Sequence, residues 1–151
     1  MDMRVNVDIE ASPQTVWKVL QDVERWPDWT ASVTSIRRLD AGPLAVGSQA
    51  RVRQPQLPDA TWRVTELEDN RNFTWVTARP GVRITAAHWI ERHPGGSRVT
   101  LSLDFQGLLG PVAARLTRSL TQRYVRMEAN GLKARSEDQQ RAEEISPPRG
   151  E

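Results

Sequence analysis

The stretch VRITAAHWIERHPGGSRVTLSLDFQ (residues 82–106), followed at once by GLLGPVAARLTRSLTQRYVRM (residues 107–127), decides the fold. Val99, Leu101, Leu103 and Phe105 alternate with Arg98, Thr100, Ser102 and Asp104, a period of two that predicts a strand over residues 98–106 with one buried face. Val82, Ile84, Ala86, His88 and Ile90 alternate the same way over residues 82–92, and Pro94-Gly95-Gly96 between the runs is short enough to force an antiparallel hairpin. After Gly107 the period changes. Pro111 suits a helix start, and Leu109, Val112, Ala113, Leu116, Leu120, Tyr124 and Met127 recur at spacings of three and four, which predicts a long helix with one apolar stripe.

Toward the N-terminus the strand pattern continues. Residues 72–79 and 60–68 read as two more strands, separated by Pro80-Gly81 and Asp69-Asn70-Arg71, with a further strand at residues 50–52 beyond the proline-containing loop at residues 54–59. Val33, Ile36 and Leu39 mark another strand whose imperfect alternation predicts a bulge. Met3, Val5, Val7 and Ile9 alternate with polar residues and predict the first strand; Ser12-Pro13 then opens a helix carrying Val16, Trp17 and Leu20. Asp22 to Trp26 predicts a second short helix stopped by Pro27. The order is strand, two short helices, six strands, long helix: an α+β domain in which a seven-stranded antiparallel sheet curls around the one helix long enough to cover it. Such a sheet leaves a gap at one end of the helix where a ligand would sit. Residues 1–135 make this domain; residues 136–151, charged and without aromatics, read as a frayed helix end and a disordered tail.

Composition narrows the function classes. A chain of 151 residues suits one core, and the absence of cysteine removes disulfides and thiolate chemistry. The formal charge is +2, and 19 of the 21 basic residues are Arg. Their one loose cluster, Arg115, Arg118, Arg123 and Arg126, reads as a solvated helix face, so no nucleic-acid partner is expected. No apolar signal core opens the chain and no segment approaches a membrane span, which makes a cytoplasmic location the default. There is no phosphate-binding glycine loop and no nucleophile elbow. His88 and His93 lie an odd number of residues apart, which argues against a shared metal site, and no metal is expected.

The element order, the helix opening Ser12-Pro13-Gln14-Thr15-Val16-Trp17, the pair in Arg25-Trp26-Pro27-Asp28-Trp29 and the ending Gly96-Ser97-Arg98-Val99-Thr100-Leu101 resemble the polyketide cyclase/dehydrase branch of the START-related superfamily. That superfamily also includes lipid-transfer domains and plant birch-pollen-allergen-like proteins. The resemblance covers roughly residues 3 to 135 and implies a helix-grip fold with a deep hydrophobic cavity and no cofactor. Its motifs are specific for the fold and weak for function, because the fold hosts carriers, sensors and cyclases.

Strand parity assigns the lining of that cavity. Val52, Gln54, Trp62, Val64, Phe73, Trp75, Thr77, Ile84, Ala86, His88, Leu101 and Leu103 face inward from the sheet, and Leu116, Leu120 and Tyr124 face inward from the helix. In the resembling folds the short helix bearing Trp26 and Trp29 sits by the cavity mouth. His88 is the one acid/base candidate, with Tyr124 or a pocket water as its helper; the bland alternative is a buried histidine bonded to its neighbours. Val76, Ala87 and Trp89 point outward and form a candidate homodimer patch. Three functions follow: a carrier or sensor of a small hydrophobic ligand (lipid, isoprenoid or polyketide-like), a cyclase or dehydratase using His88, and a protein-interaction module working through the last helix and tail.

Overall fold

The structure, a computed structural model, describes residues 2–145. In chain order it comprises β1 (Asp2–Ile9), α1 (Pro13–Gln21), a 3-10 helix (Val23–Asp28), β2 (Ser35–Arg38), β3 (Gln49–Arg53), β4 (Ala60–Glu68), β5 (Asn72–Arg79), β6 (Val82–His93), β7 (Gly96–Gln106) and α2 (Gly110–Ile145). The seven strands form one antiparallel sheet in the order β1-β7-β6-β5-β4-β3-β2. Every neighbour except the β1–β7 pair is consecutive in the chain, as the short separators predict, and β1 closes the far edge against β7 with Val5 opposite Leu101 and Val7 opposite Val99. α1 begins where expected, with the Thr15 backbone N–H donating to Ser12 Oγ and Pro13 in the first turn.

Two irregularities fall in other places than the sequence suggests. The bulge lies in β4, not β2: pairing runs Val64 to Trp75 and then Glu66 to Thr74, so one extra residue lets both Val64 and Leu67 turn toward the core. Leu39 lies beyond the four-residue β2 and is exposed, which explains the broken alternation there. Pro27 sits inside the 3-10 helix and does not stop it, since that short turn needs few backbone donors. Trp26 fixes the turn by donating its indole N–H to the carbonyl of Leu20 at 2.9 Å, which also serves the carbonyl end of α1.

The long helix departs from expectation in length and in rotation. It does not fray at Ser136; it continues to Ile145, and residues 146–151 of the predicted tail lie outside the described residues. Its charged side chains cap the start of α1. The backbone N–H of Glu10 donates to Glu137 at 2.9 Å, that of Ser12 to Gln140 at 3.1 Å, and the Thr15 hydroxyl to Glu143 at 2.9 Å. Free amide donors at a helix start attract carboxylates and amides, so the composition that reads as a solvated tail here supplies the partners of a neighbouring helix.

Rotation is set by small residues. The buried face of α2 carries Gly110, Ala114, Thr121, Tyr124, Val125, Ala129, Leu132 and Ser136, whereas the leucine stripe points elsewhere: Leu116 is 81 % exposed and Leu120 only half-buried. Gly131 marks the closest approach, because a Cβ there would overlap the carbonyl oxygen of Trp29. The helix is therefore held tightly near its middle, while its first turns, facing the sheet through alanine and threonine, stand off from it.

Glu143 tests the docking of the helix end. The hydrogen bond from Thr15 holds its carboxyl below the usual carboxylate range, against the opposing effect of burial and with help from Gln139 and Lys18. A carboxyl shifted this way contributes stability above its unfolded value, near 4.5, and loses it as pH falls through the lower folded value. Hydrogen–deuterium exchange of Glu143→Ala is expected to quicken by roughly two- to tenfold in residues 137–145 and not in the sheet. The same segment of the native chain is expected to loosen on acidification below pH 4.5.

Candidate ligand cavity

A cavity of about 290 Å³ lies between the concave face of the sheet and the first half of α2. Of the residues assigned by parity, Val52, Gln54, Trp62, Trp75, Thr77, Ile84, Ala86, His88, Leu101, Leu103 and Tyr124 line it. Val64 and Phe73 point to the same side but are packed in the core and do not reach it. Leu116 and Leu120 are not in the lining; one turn-face over, Ala113, Thr117, Thr121, Val125 and Glu128 take their place. The physical reason is volume: the sheet already supplies Trp62 and Trp75, and only small helical side chains leave space between them.

The mouth is not where the resemblance puts it. Trp26 is 3 % exposed and forms part of the inner wall, with ring centroids 5.5 Å from both Trp75 and His88; Trp29 does not line the cavity and packs over Gly131. Only Pro58 and Arg79 of the lining are exposed; beside them Leu57, Val82, Ala113 and Thr117 are among the half-buried residues of the wall. The exposed part of the wall thus lies at the β3–β4 loop and the end of β5, next to the first turns of α2.

Polar groups in the wall are few, and most of their donors are committed. Gln54 donates to Ser32 O at 3.2 Å, Thr117 to Ala113 O at 2.8 Å, Thr121 to Thr117 O at 3.0 Å, and Tyr124 to Pro55 O. Tyr124 thus spends its proton on the β3–β4 loop and is not the helper of His88. The group that faces His88 is Glu128. His88, buried on β6 and stacked on Phe73 at 4.2 Å between centroids, lies 3.0 Å through Nδ1 from Phe73 O. A carbonyl can only accept, so Nδ1 carries the hydrogen and Nε2 faces Glu128 Oε1 at 3.4 Å. That contact is long for a hydrogen bond, and the oxygen has no other partner. Nε2 of His88 and the Glu128 carboxyl thus face each other in an otherwise apolar wall.

Glu128 escapes a reading by strand parity because it sits on the helix, 40 residues from His88. One signal does point to it: it is the first acidic residue after Asp104, four positions from Tyr124 and so on the same helical face. Among the described residues no three His, Asp or Glu side chains gather in a metal-binding group, and His93 stands apart beside Asp8 and Arg98. Trp89 is half-exposed on the outer face of the sheet opposite Asn72, and the partly buried Ala87 and Val76 lie further along the same pair of strands.

Comparison with known proteins agrees with this fold. Residues 1–137 match the family model described as polyketide cyclase / dehydrase and lipid transport. No curated protein matches the sequence. Among solved structures, the Zhui aromatase/cyclase of Streptomyces sp. R1128 superposes with a TM-score of 0.74 at 17% identity, covering 91% of this chain and 93% of that one. A START superfamily protein of Mycobacterium smegmatis gives 0.69 at 19% identity over 91% and 97% of the two chains. The major latex-like protein 151 of Panax ginseng gives 0.73 at 12% identity over 90% and 97%. At these identities the likeness carries the helix-grip fold and nothing finer.

The His88–Glu128 contact makes an asymmetric prediction for stability in urea. His88→Leu removes the imidazole bond to the Phe73 carbonyl and leaves the buried Glu128 oxygen without its neighbour, and is expected to cost about 1–3 kcal/mol. Glu128→Leu leaves the imidazole still bonded to Phe73 O and is expected to cost less than about 1 kcal/mol. The reverse order would show that the two side chains do not form a unit.

Proposed function

The chain belongs to the polyketide cyclase / dehydrase and lipid transport family, and on that premise we propose that it binds one small hydrophobic molecule in its cavity, as a carrier or sensor. The observation that carries this reading is an apolar chamber whose wall is built from Trp26, Trp62, Trp75 and aliphatic side chains, with its polar donors already largely bonded to protein. A volume of about 290 Å³ sits at the lower end of ligand pockets, which favours a fused-ring or short isoprenoid compound over a two-chain lipid.

Native mass spectrometry of freshly purified protein, with organic extraction, is expected to detect an apolar adduct. Pyrene supplies a defined probe, and its binding is expected to quench the tryptophans of the wall. Ala86→Phe fills the cavity from β6 and Ala113→Phe fills it from α2; each is expected to weaken pyrene binding at least about tenfold. Unchanged affinity in both folded variants would sink the reading, and the use of two walls guards against one variant failing to fold.

A second reading, an enzyme of the cyclase or dehydratase kind, is favoured by one specific observation: the His88–Glu128 pair faces an otherwise apolar chamber. In that chemistry His88 Nε2 takes a proton from a carbon next to a carbonyl and returns it to a departing hydroxyl, while Glu128 stabilises the imidazolium formed in between. His88→Gln and Glu128→Gln separate the readings. An enzyme loses turnover by about a hundredfold or more with ligand affinity kept; a carrier shows a change in affinity alone.

A further inference from the structure

We propose that the rim of the cavity, formed by the first turns of α2 and the preceding loop, is a docking surface for an anionic lipid bilayer. Four of the large hydrophobic side chains exposed among the described residues fall within nine positions: Leu108 at 96 %, Leu109 at 52 %, Val112 at 54 % and Leu116 at 81 %. The stripe is continuous with the opening. Ala113 and Thr117 of the same turns line the cavity, and the Leu109 backbone N–H donates to Gly81 O in the β5–β6 turn, whose neighbours Arg79 and Val82 also line it.

Charge says what covers this stripe. Between Asp104 and Glu128 the chain has no acidic residue, and it has four arginines, Arg115, Arg118, Arg123 and Arg126. All four are exposed, and none forms an ion pair among the described residues; Arg83, beside the same turn, is likewise exposed and in no ion pair there. The nearby acid Asp59 is taken up by Arg51 and Arg53. Exposed leucines flanked by unpaired arginines match an interface of acyl chains beneath phosphate groups. A second copy fits poorly, because a two-fold contact through this patch would set Arg115 and Arg118 against their own equivalents. Docked here, the opening would face the bilayer, and an apolar molecule would pass between membrane and cavity without crossing water.

The surface goes beyond the ligand-binding reading, and its test reads membrane association alone. The full chain is floated with vesicles of phosphatidylcholine containing about a third phosphatidylglycerol, and with vesicles of phosphatidylcholine only. Expected is flotation with the anionic vesicles, little with the neutral ones, and release by high salt. The double variants Leu108→Gln/Leu116→Gln and Arg115→Gln/Arg118→Gln, all at exposed positions outside the cavity wall, are each expected to lower partitioning by about tenfold or more. Pyrene affinity should stay unchanged in both, and Ala86→Phe should still float, so failure of the pocket and failure of the surface are told apart. Absence of flotation with anionic vesicles, or flotation insensitive to both double variants, overturns the proposal. A concentration-dependent dimer broken by Leu108→Gln/Leu116→Gln overturns it too, by assigning the stripe to a second copy.

Discussion

The close approach of Gly131 to the carbonyl of Trp29 sets the tilt on which the rest of the molecule depends. No side chain separates the helix from the 3-10 turn at that point, so α2 is pressed against the body of the protein near its middle. Beyond it, Leu132 and Ser136 are fully buried, and Gln140 and Glu143 reach the start of α1. Before it, the helix faces the sheet through Ala113, Thr117 and Thr121, which are too short to fill the distance to Trp62 and Trp75. The helix behaves as a lever fixed at one end, and the cavity is the space under the free end.

That geometry explains why the cavity is so apolar although its wall contains hydroxyls, an amide, an imidazole and a carboxylate. The amide of Gln54 and the hydroxyls of Thr117, Thr121 and Tyr124 find protein acceptors close by, on the helix's own turns or on neighbouring loops, and burial in a dry wall rewards such pairing. His88 and Glu128 are left to satisfy one another, at a distance longer than a good hydrogen bond. Of the ionisable groups in the inner wall, these two face each other without a close hydrogen bond between them.

The same rotation of the helix that opens the cavity expels the leucines. Tertiary packing chose between two helical faces, one small and one bulky, and burying the bulky one would have filled the chamber. Exposing Leu108, Leu109, Val112 and Leu116 carries a solvation cost that a monomer in water does not recover. The inner void and the outer stripe are thus two consequences of one choice, which is why they adjoin.

What the sequence determined by itself was local. Period-two runs ending in Pro80-Gly81 or Pro94-Gly95-Gly96 dictate strands, hairpins and the inward parity of Trp62, Trp75, Ala86 and His88, because a strand's two faces are defined by its own backbone. A helix has no such binary choice. Its leucine stripe and its alanine-threonine stripe are about a third of a turn apart, and periodicity favours the more apolar one. Only the assembled structure decided that the smaller face turns inward, that Glu128 meets His88, that the opening lies by Ala113 and not Trp26, and that the charged end of α2 caps α1. Each of these depends on a distance between elements far apart in the chain, fixed by how closely side chains of given volume let backbones approach, and that distance is written in no local pattern.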